Sequence, residues 1–167
     1  MGTERSAEGR YFEDFTVGDV YRSATGRTIT DADNIQFSLL TANTNPIHID
    51  AHYASKTEFG RPLVNSTMTI AIVTGLAVSQ TSQNGFALGW DDVSLPAPLF
   101  AGDTLYADSE VLELRPSRSR PGWGIVRVRQ RGIKQDGTTV LVMTRSFMVP
   151  TRAAAPARDV FPIPRAR

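Results

Sequence analysis

One apolar helix followed by four long strands, with no second helix between them, is the pattern that most constrains this chain. Residues 66–83 carry Met68, Ile70, Ala71, Ile72, Val73, Leu76, Ala77 and Val78 on most of their helical faces, and a helix that is apolar almost all round is a buried one. After the turn signal Asn84-Gly85 the periodicity becomes that of strands, over 86–95, 104–115, 122–134 and 138–149, with Asp136-Gly137 as the hairpin between the last two. In the third strand Val126, Val128 and Gln130 alternate with Ile125, Arg127, Arg129 and Arg131, so one face meets the core and the other meets water or a partner. The expected fold is α+β, a long antiparallel sheet wrapped around one central helix.

The bulk composition sets the limits around that core. At 167 residues and 41% hydrophobic, the chain suits a single domain. The expected domain runs over 11–150, between a disordered leader at 1–10 and a flexible tail at 151–167 that drapes over the surface through Val160, Phe161 and Ile163. A net charge of +1 gives no footprint for nucleic acid. The absence of Cys removes disulfides and thiolate metal sites, and favours the cytoplasm. The first ten residues are polar, and the longest apolar stretch, 68–78, is interrupted by Thr69, Thr74 and Gly75, so neither a signal peptide nor a membrane span is expected.

The chemistry concentrates in the N-terminal half. A strand is expected over 20–28, then a helix from a Thr30 cap, with Asp31 and Asp33 in its first turn, to about Thr41. Phe37, Leu40 and Thr41 share one face of it. Asn45-Pro46 then starts a turn, and residues 50–55 make a short helix carrying His52. The loop so defined, from Asn43 to His52, holds the only two histidines of the chain. Histidine is the side chain whose ordinary pKa lies nearest neutrality, and no thiolate competes with it, so a general base falls here. His48 is the candidate. His52 reads as a surface or packing residue on its helix, and Asn45 as a residue that holds the loop through backbone hydrogen bonds. Asp31 and Asp50 could bring a carboxylate to His48, although helix capping and exposure explain both. Arg61, in the loop before the apolar helix, is a candidate for binding an anionic group, with a salt bridge to Glu58 or an Asp as the alternative. His48 and His52 stand four apart, but Pro46 interrupts a helix there and no third ligand follows, so no metal is expected. Gly85, Gly89 and Gly102 have turn spacings, not the clustering that cradles a dinucleotide.

Three segments together, Asn43-x-Asn45-Pro46-Ile47-His48, Phe59-Gly60-Arg61-Pro62 and Pro98-x-x-x-Gly102-Asp103-Thr104-Leu105, resemble the MaoC-like hydratases, the (R)-specific enoyl-CoA hydratase group of the hot-dog fold. The resemblance spans 11–150, and the wording from Arg61 to Ser66 looks closest to the branch acting on mesaconyl-CoA and similar branched C5 dicarboxylyl thioesters. It implies hydration of an enoyl-CoA, or dehydration of a 3-hydroxyacyl-CoA, without a cofactor. It also implies a homodimer or higher homo-oligomer with the acyl-CoA in a tunnel between subunits. Where the family usually has Asp this chain has Asn43, which cannot accept a proton, so the resemblance leaves His48 as the lone base and Asn43 as an amide that orients the water. Where the family commonly has His-Gly this chain has Asn65-Ser66, and the Ser66 N–H would polarise the thioester carbonyl at the positive end of the helix, with Asn45, Asn65 and Arg61 lining the substrate. Arg127, Arg129 and Arg131 could meet the CoA phosphates or be merely solvated. Two other outcomes stay open: a hot-dog thioesterase, whose water is aimed at the carbonyl carbon, and a non-catalytic acyl-CoA-binding subunit paired with an active paralogue.

Overall fold

The computed structural model describes residues 9–156. The elements are β1 (Val20–Arg22), β2 (Arg27–Thr28), α1 (Asp31–Leu40), α2 (Pro46–Ile49), α3 (Ala51–Ala54), α4 (Ser66–Ala77), β3 (Phe86–Ser94), β4 (Thr104–Pro116), β5 (Trp123–Lys134) and β6 (Thr139–Pro150). All strand pairs are antiparallel in one sheet of order β1-β4-β5-β6-β3, with β2 beside β1 on the same edge of β4.

The alternation in β5 decides which face of the sheet is inside. Gly124, Val126, Val128, Gln130 and Gly132 are buried, while the arginines between them point outward. Arg129 and Arg131 sit opposite Glu110 and Asp108 on β4 and pair with them, and Arg127 reaches Asp91 at 3.8 Å and Asp92 at 4.0 Å. The outer face is thus a ladder of cross-strand ion pairs rather than a free basic strip. On the inner face α4 lies across the sheet, and at Gly132 it comes so close that a Cβ would stand 2.6 Å from a Val73 methyl. Met68, Val73 and Ala77 of α4 meet Leu105, Ala107, Val140, Leu141 and Met143 there, and a second cluster holds Phe15, Val111, Val126, Val128, Phe147 and Val149. Each fully buried side chain of this size contributes about 1.5–3 kcal/mol.

Several details depart from the sequence expectation. The strand expected over 20–28 is two short pieces, because the chain turns between Ser23 and Gly26. Helix α4 ends at Ala77 and tightens into a 3₁₀ turn, Val78–Gln80. It is not covered all round: Ala71 and Gly75 are exposed, since a single sheet shields one side only. In α1 the inward residues are Asn34 and Ser38, while Leu39 and Leu40 are 61% and 84% exposed. Phe37 packs partly on the core, but Leu40 does not share its burial.

At the N-terminal end Gly9 is buried, and the Arg10 guanidinium donates to the Gln80 carbonyl (2.9 Å), so these two residues belong to the domain rather than to a leader. Likewise the Arg152 N–H donates to Glu13 at 3.2 Å, tying the first residues after β6 to the fold. Residues 1–8 of the expected leader, and Val160, Phe161 and Ile163 of the expected tail, lie outside the described residues. No helix among the described residues is long and apolar enough to cross a membrane.

Candidate active site

Helix α1 begins on a reciprocal cap. The Thr30 hydroxyl accepts the Asp33 N–H at 3.1 Å, and the Asp33 carboxylate accepts the Thr30 N–H at 2.8 Å. That cap aims Asn34 and Ser38, one helical turn apart, at the two loops that follow. The Asn34 amide donates to the carbonyls of His48 (2.9 Å) and Leu63 (3.1 Å), and its oxygen accepts the Asn65 N–H at 2.9 Å. Asn34 therefore ties the histidine loop to the segment that enters α4. Neither Asn34 nor Ser38 was singled out from the sequence, because polar residues beside Leu39 and Leu40 read as the outer face of the helix.

His48 is on a one-turn helix rather than an open loop. Asn45 caps α2, its side-chain oxygen accepting the Ile47 N–H at 3.2 Å, and Pro46 takes the first helical position, where no N–H is needed. The His48 ring is 7% exposed, and its Nδ1 lies 2.8 Å from the Leu63 carbonyl oxygen. A carbonyl can only accept, so Nδ1 carries the proton, and in the neutral ring Nε2 is left as the acceptor. No described residue occupies Nε2. The backbone thus sets the tautomer and leaves Nε2 as the nitrogen that can take a proton.

His48 lines a cleft of about 380 Å³ together with Asp31, Asn34, Ile35, Ile49, Ala51, Arg61, Pro62 and Ala101. Asn43 is not one of its walls. The Asn43 side-chain oxygen accepts the Asn45 N–H at 3.2 Å, which holds the turn after α1. The carboxylate on the cleft is Asp31. Asp50 instead caps α3, accepting the Tyr53 N–H at 2.9 Å, and His52 is exposed on that helix. Arg61 forms no bridge with Glu58; its guanidinium stacks 4.1 Å above the Phe100 ring centre.

Asn65 is buried in structural bonds. Its oxygen caps α4 by accepting the Thr67 N–H (3.0 Å), and its nitrogen donates to the Ser38 hydroxyl (3.2 Å). It thus serves as a framework residue. Ser66, the first residue of α4, keeps its backbone N–H unengaged among the described residues, at the positive end of the helix. It lines a second cavity, of about 200 Å³, with Thr69, Phe59, Leu63, Leu95 and Val140 among its walls. His48 and Ser66 thus stand in two different cavities, to which successive parts of one segment contribute, Arg61 and Pro62 to the first and Leu63, Val64 and Ser66 to the second. No group of three or more His, Cys, Asp or Glu side chains that could hold a metal ion occurs among the described residues.

A sheet wrapped on one helix, with a histidine held against the segment that opens that helix, defines a hot-dog domain of the MaoC-like hydratase type. The profile of the mesaconyl-CoA hydratase family matches residues 2–159, and the chain belongs to that family. It is 32% identical over 150 residues to a mesaconyl-CoA hydratase of Haloarcula marismortui, covering 89% of this chain and 42% of that protein. It is 32% identical over 160 residues to a beta-methylmalyl-CoA dehydratase of Chloroflexus aurantiacus, covering 93% of this chain and 45% of that protein. A crystal structure of a MaoC domain protein dehydratase from Chloroflexus aurantiacus superimposes with a TM-score of 0.84 at 30% identity, covering 97% of this chain and 47% of that one. The chain spans about half the length of the curated relatives it matches.

Proposed function

We propose that this chain adds water to an enoyl-CoA, or removes it from the 3-hydroxyacyl-CoA, with a branched C5 dicarboxylyl thioester such as mesaconyl-CoA as the substrate. The observation that carries the reading is the His48 ring, buried with Nε2 free and held by the carbonyl of Leu63, a residue that itself stands three before Ser66 with its unengaged N–H. The names of the relatives at 32% identity support the substrate class.

A thioester lying along the 61–66 segment, from one cavity to the other, would set its carbonyl oxygen on the Ser66 N–H and its β-carbon toward His48. His48 Nε2 takes a proton from water, the water oxygen bonds to the β-carbon, and the double-bond electrons move to an enolate facing the helix terminus. Fixed dipoles there stabilise that charge without reorganising. The proton then returns to the α-carbon. Asp31, on the same cleft, orders the water. The chain works in the cytoplasm as a homodimer, a reading supported by the absence of Cys and by the apolar edge of β3, where Leu88 and Trp90 are 46% and 44% exposed.

The test follows loss of the conjugated thioester absorbance over a panel of enoyl-CoAs. Wild type is expected to hydrate at least one, and His48→Ala to be slower by about 10²-fold or more with an unchanged circular dichroism spectrum. His48→Ala within a few-fold of wild type would remove His48 from the mechanism. Release of free thiol would mark a thioesterase, and retained binding of CoA esters without turnover would mark a binding subunit.

A further inference from the structure

We propose that Arg61 binds the second carboxylate of the acyl group and so sets the preference for a dicarboxylyl over a monocarboxylyl enoyl thioester. The proposal rests on the hydratase reading and deepens it. Arg61 follows Gly60, whose φ of +67° turns the loop in a region that favours glycine. It precedes by two residues Leu63, whose carbonyl holds His48.

The guanidinium carbon lies 4.1 Å from the Phe100 ring centre, and no acidic side chain pairs with it among the described residues; Asp31 shares the cleft without bridging it. An arginine stacked on a ring has its face occupied and its edge free, and that edge is a planar fork of N–H donors that matches two carboxylate oxygens at once. The backbone of Phe100 is held in turn. The Phe100 N–H donates to Asp103 at 3.1 Å, and Phe100 forms an antiparallel bridge with Leu63. One paired strip of backbone therefore carries both the ring beside Arg61 and the carbonyl that holds His48.

The chemistry of the substrate asks for this placement. In a but-2-enedioyl thioester the second carboxylate is bonded to the β-carbon, the atom that water attacks. Whatever binds that carboxylate must share a cleft with the base. A cleft of about 380 Å³ takes an acyl group of this size. The pantetheine arm extends beyond it. Arg61, exposed on the wall of that cleft, is placed to meet the carboxylate of an acyl group held beside His48.

The experiment compares kcat/KM for mesaconyl-CoA and crotonyl-CoA in wild type, Arg61→Gln and Arg61→Lys, with circular dichroism to verify folding. The ratio of the two specificity constants is expected to fall about 10- to 100-fold in Arg61→Gln, the worth of hydrogen bonds to a charged group. It should fall less in Arg61→Lys, which keeps the charge and loses the fork. Wild type that hydrates both substrates, with an unchanged ratio in Arg61→Gln, overturns this proposal and leaves the hydratase reading intact. So does an equal loss on both substrates, the mark of a contact to CoA itself, and so does wild type that hydrates crotonyl-CoA only. Wild type that hydrates neither substrate overturns both readings.

Discussion

Asn43 stands where the resemblance to the hydratases implies Asp, and its side chain holds a turn. Ala42 before it has a φ of +55°, a left-handed conformation that costs a non-glycine residue about 1–2 kcal/mol. The turn is held by the Asn43 N–H donating to the Ser38 carbonyl at 2.8 Å and by the Asn43 side chain accepting the Asn45 N–H. The amide oxygen is engaged in shaping the loop that presents His48. Asp31, at the start of α1 and on the cleft, is the carboxylate we propose to order water. Asn43→Ala is therefore expected to lower stability by about 1 kcal/mol and to change kcat by less than about tenfold. Asp31→Asn should lower kcat/KM by about tenfold or more. Both variants, measured on one substrate with their thermal midpoints, decide the matter: a wild-type Asp31→Asn beside a hundredfold loss in Asn43→Ala would return the water to Asn43.

Among the elements, the turn between Phe100 and β4 links the candidate site to the sheet. Gly102 has a φ of +94°, which lets the chain fold back so that the Asp103 carboxylate accepts from the Phe100 N–H, the Gln135 amide (3.1 Å) and Lys134 (3.3 Å). Burial pushes this carboxyl up, but the bonds from Gln135, Phe100 and Lys134 outweigh it and hold its pKa below the ordinary value. A carboxyl lowered in the folded state stabilises the fold above its unfolded pKa, about 3.9, and loses that contribution as the pH falls through the folded value. Asp103→Asn is expected to destabilise by about 1.5–3 kcal/mol at pH 7. The gap from wild type should close as the medium is acidified below about pH 4. Denaturant midpoints across pH check it, and a constant gap would rule out the charge as the cause.

At this scale, what was legible in the chain was local or periodic. Thr30 with Asp33 is a cap written within four residues, α4 is an unbroken apolar run, and β5 and β6 show alternation that only a two-faced sheet produces. The polar seam Asn34-Ser38-Asn65 was not legible, because an apolar pattern turns leucines inward, whereas α1 turns amides inward to satisfy loop carbonyls. Its need arises only when residues 48, 63 and 65 meet in space. His48 was legible as a chemical type; the carbonyl that sets its tautomer, fifteen residues away, was not.

For the whole molecule, the open question is what adjoins β3. This strand closes one side of the sheet, pairs only with β6 among the described residues, and leaves Leu88, Trp90 and Val93 at 43–46% exposure. Such an edge invites a further strand. Its inner neighbour Arg145, opposite Trp90, is 3% exposed and donates to the Ser82 hydroxyl at 3.1 Å, while its Nε and Nη1 have no partner among the described residues. Burial without a counter-ion pushes the guanidinium pKa down, and a buried cation left unpaired is costly. A second copy added along β3 would deepen the burial of Trp90 and bring acceptors near those two N–H groups. Light scattering is expected to return a dimer for the wild type and a monomer for the Leu88→Glu, Trp90→Glu pair, with hydration lost in that pair. In the dimer Arg145→Met should then lower the thermal midpoint, whereas in the edge variant it should raise it or leave it unchanged, because an apolar side chain of similar length removes two orphan donors. The same upward shift in both backgrounds would mean that no partner reaches Arg145, and a fully active monomeric wild type would exclude the dimer outright.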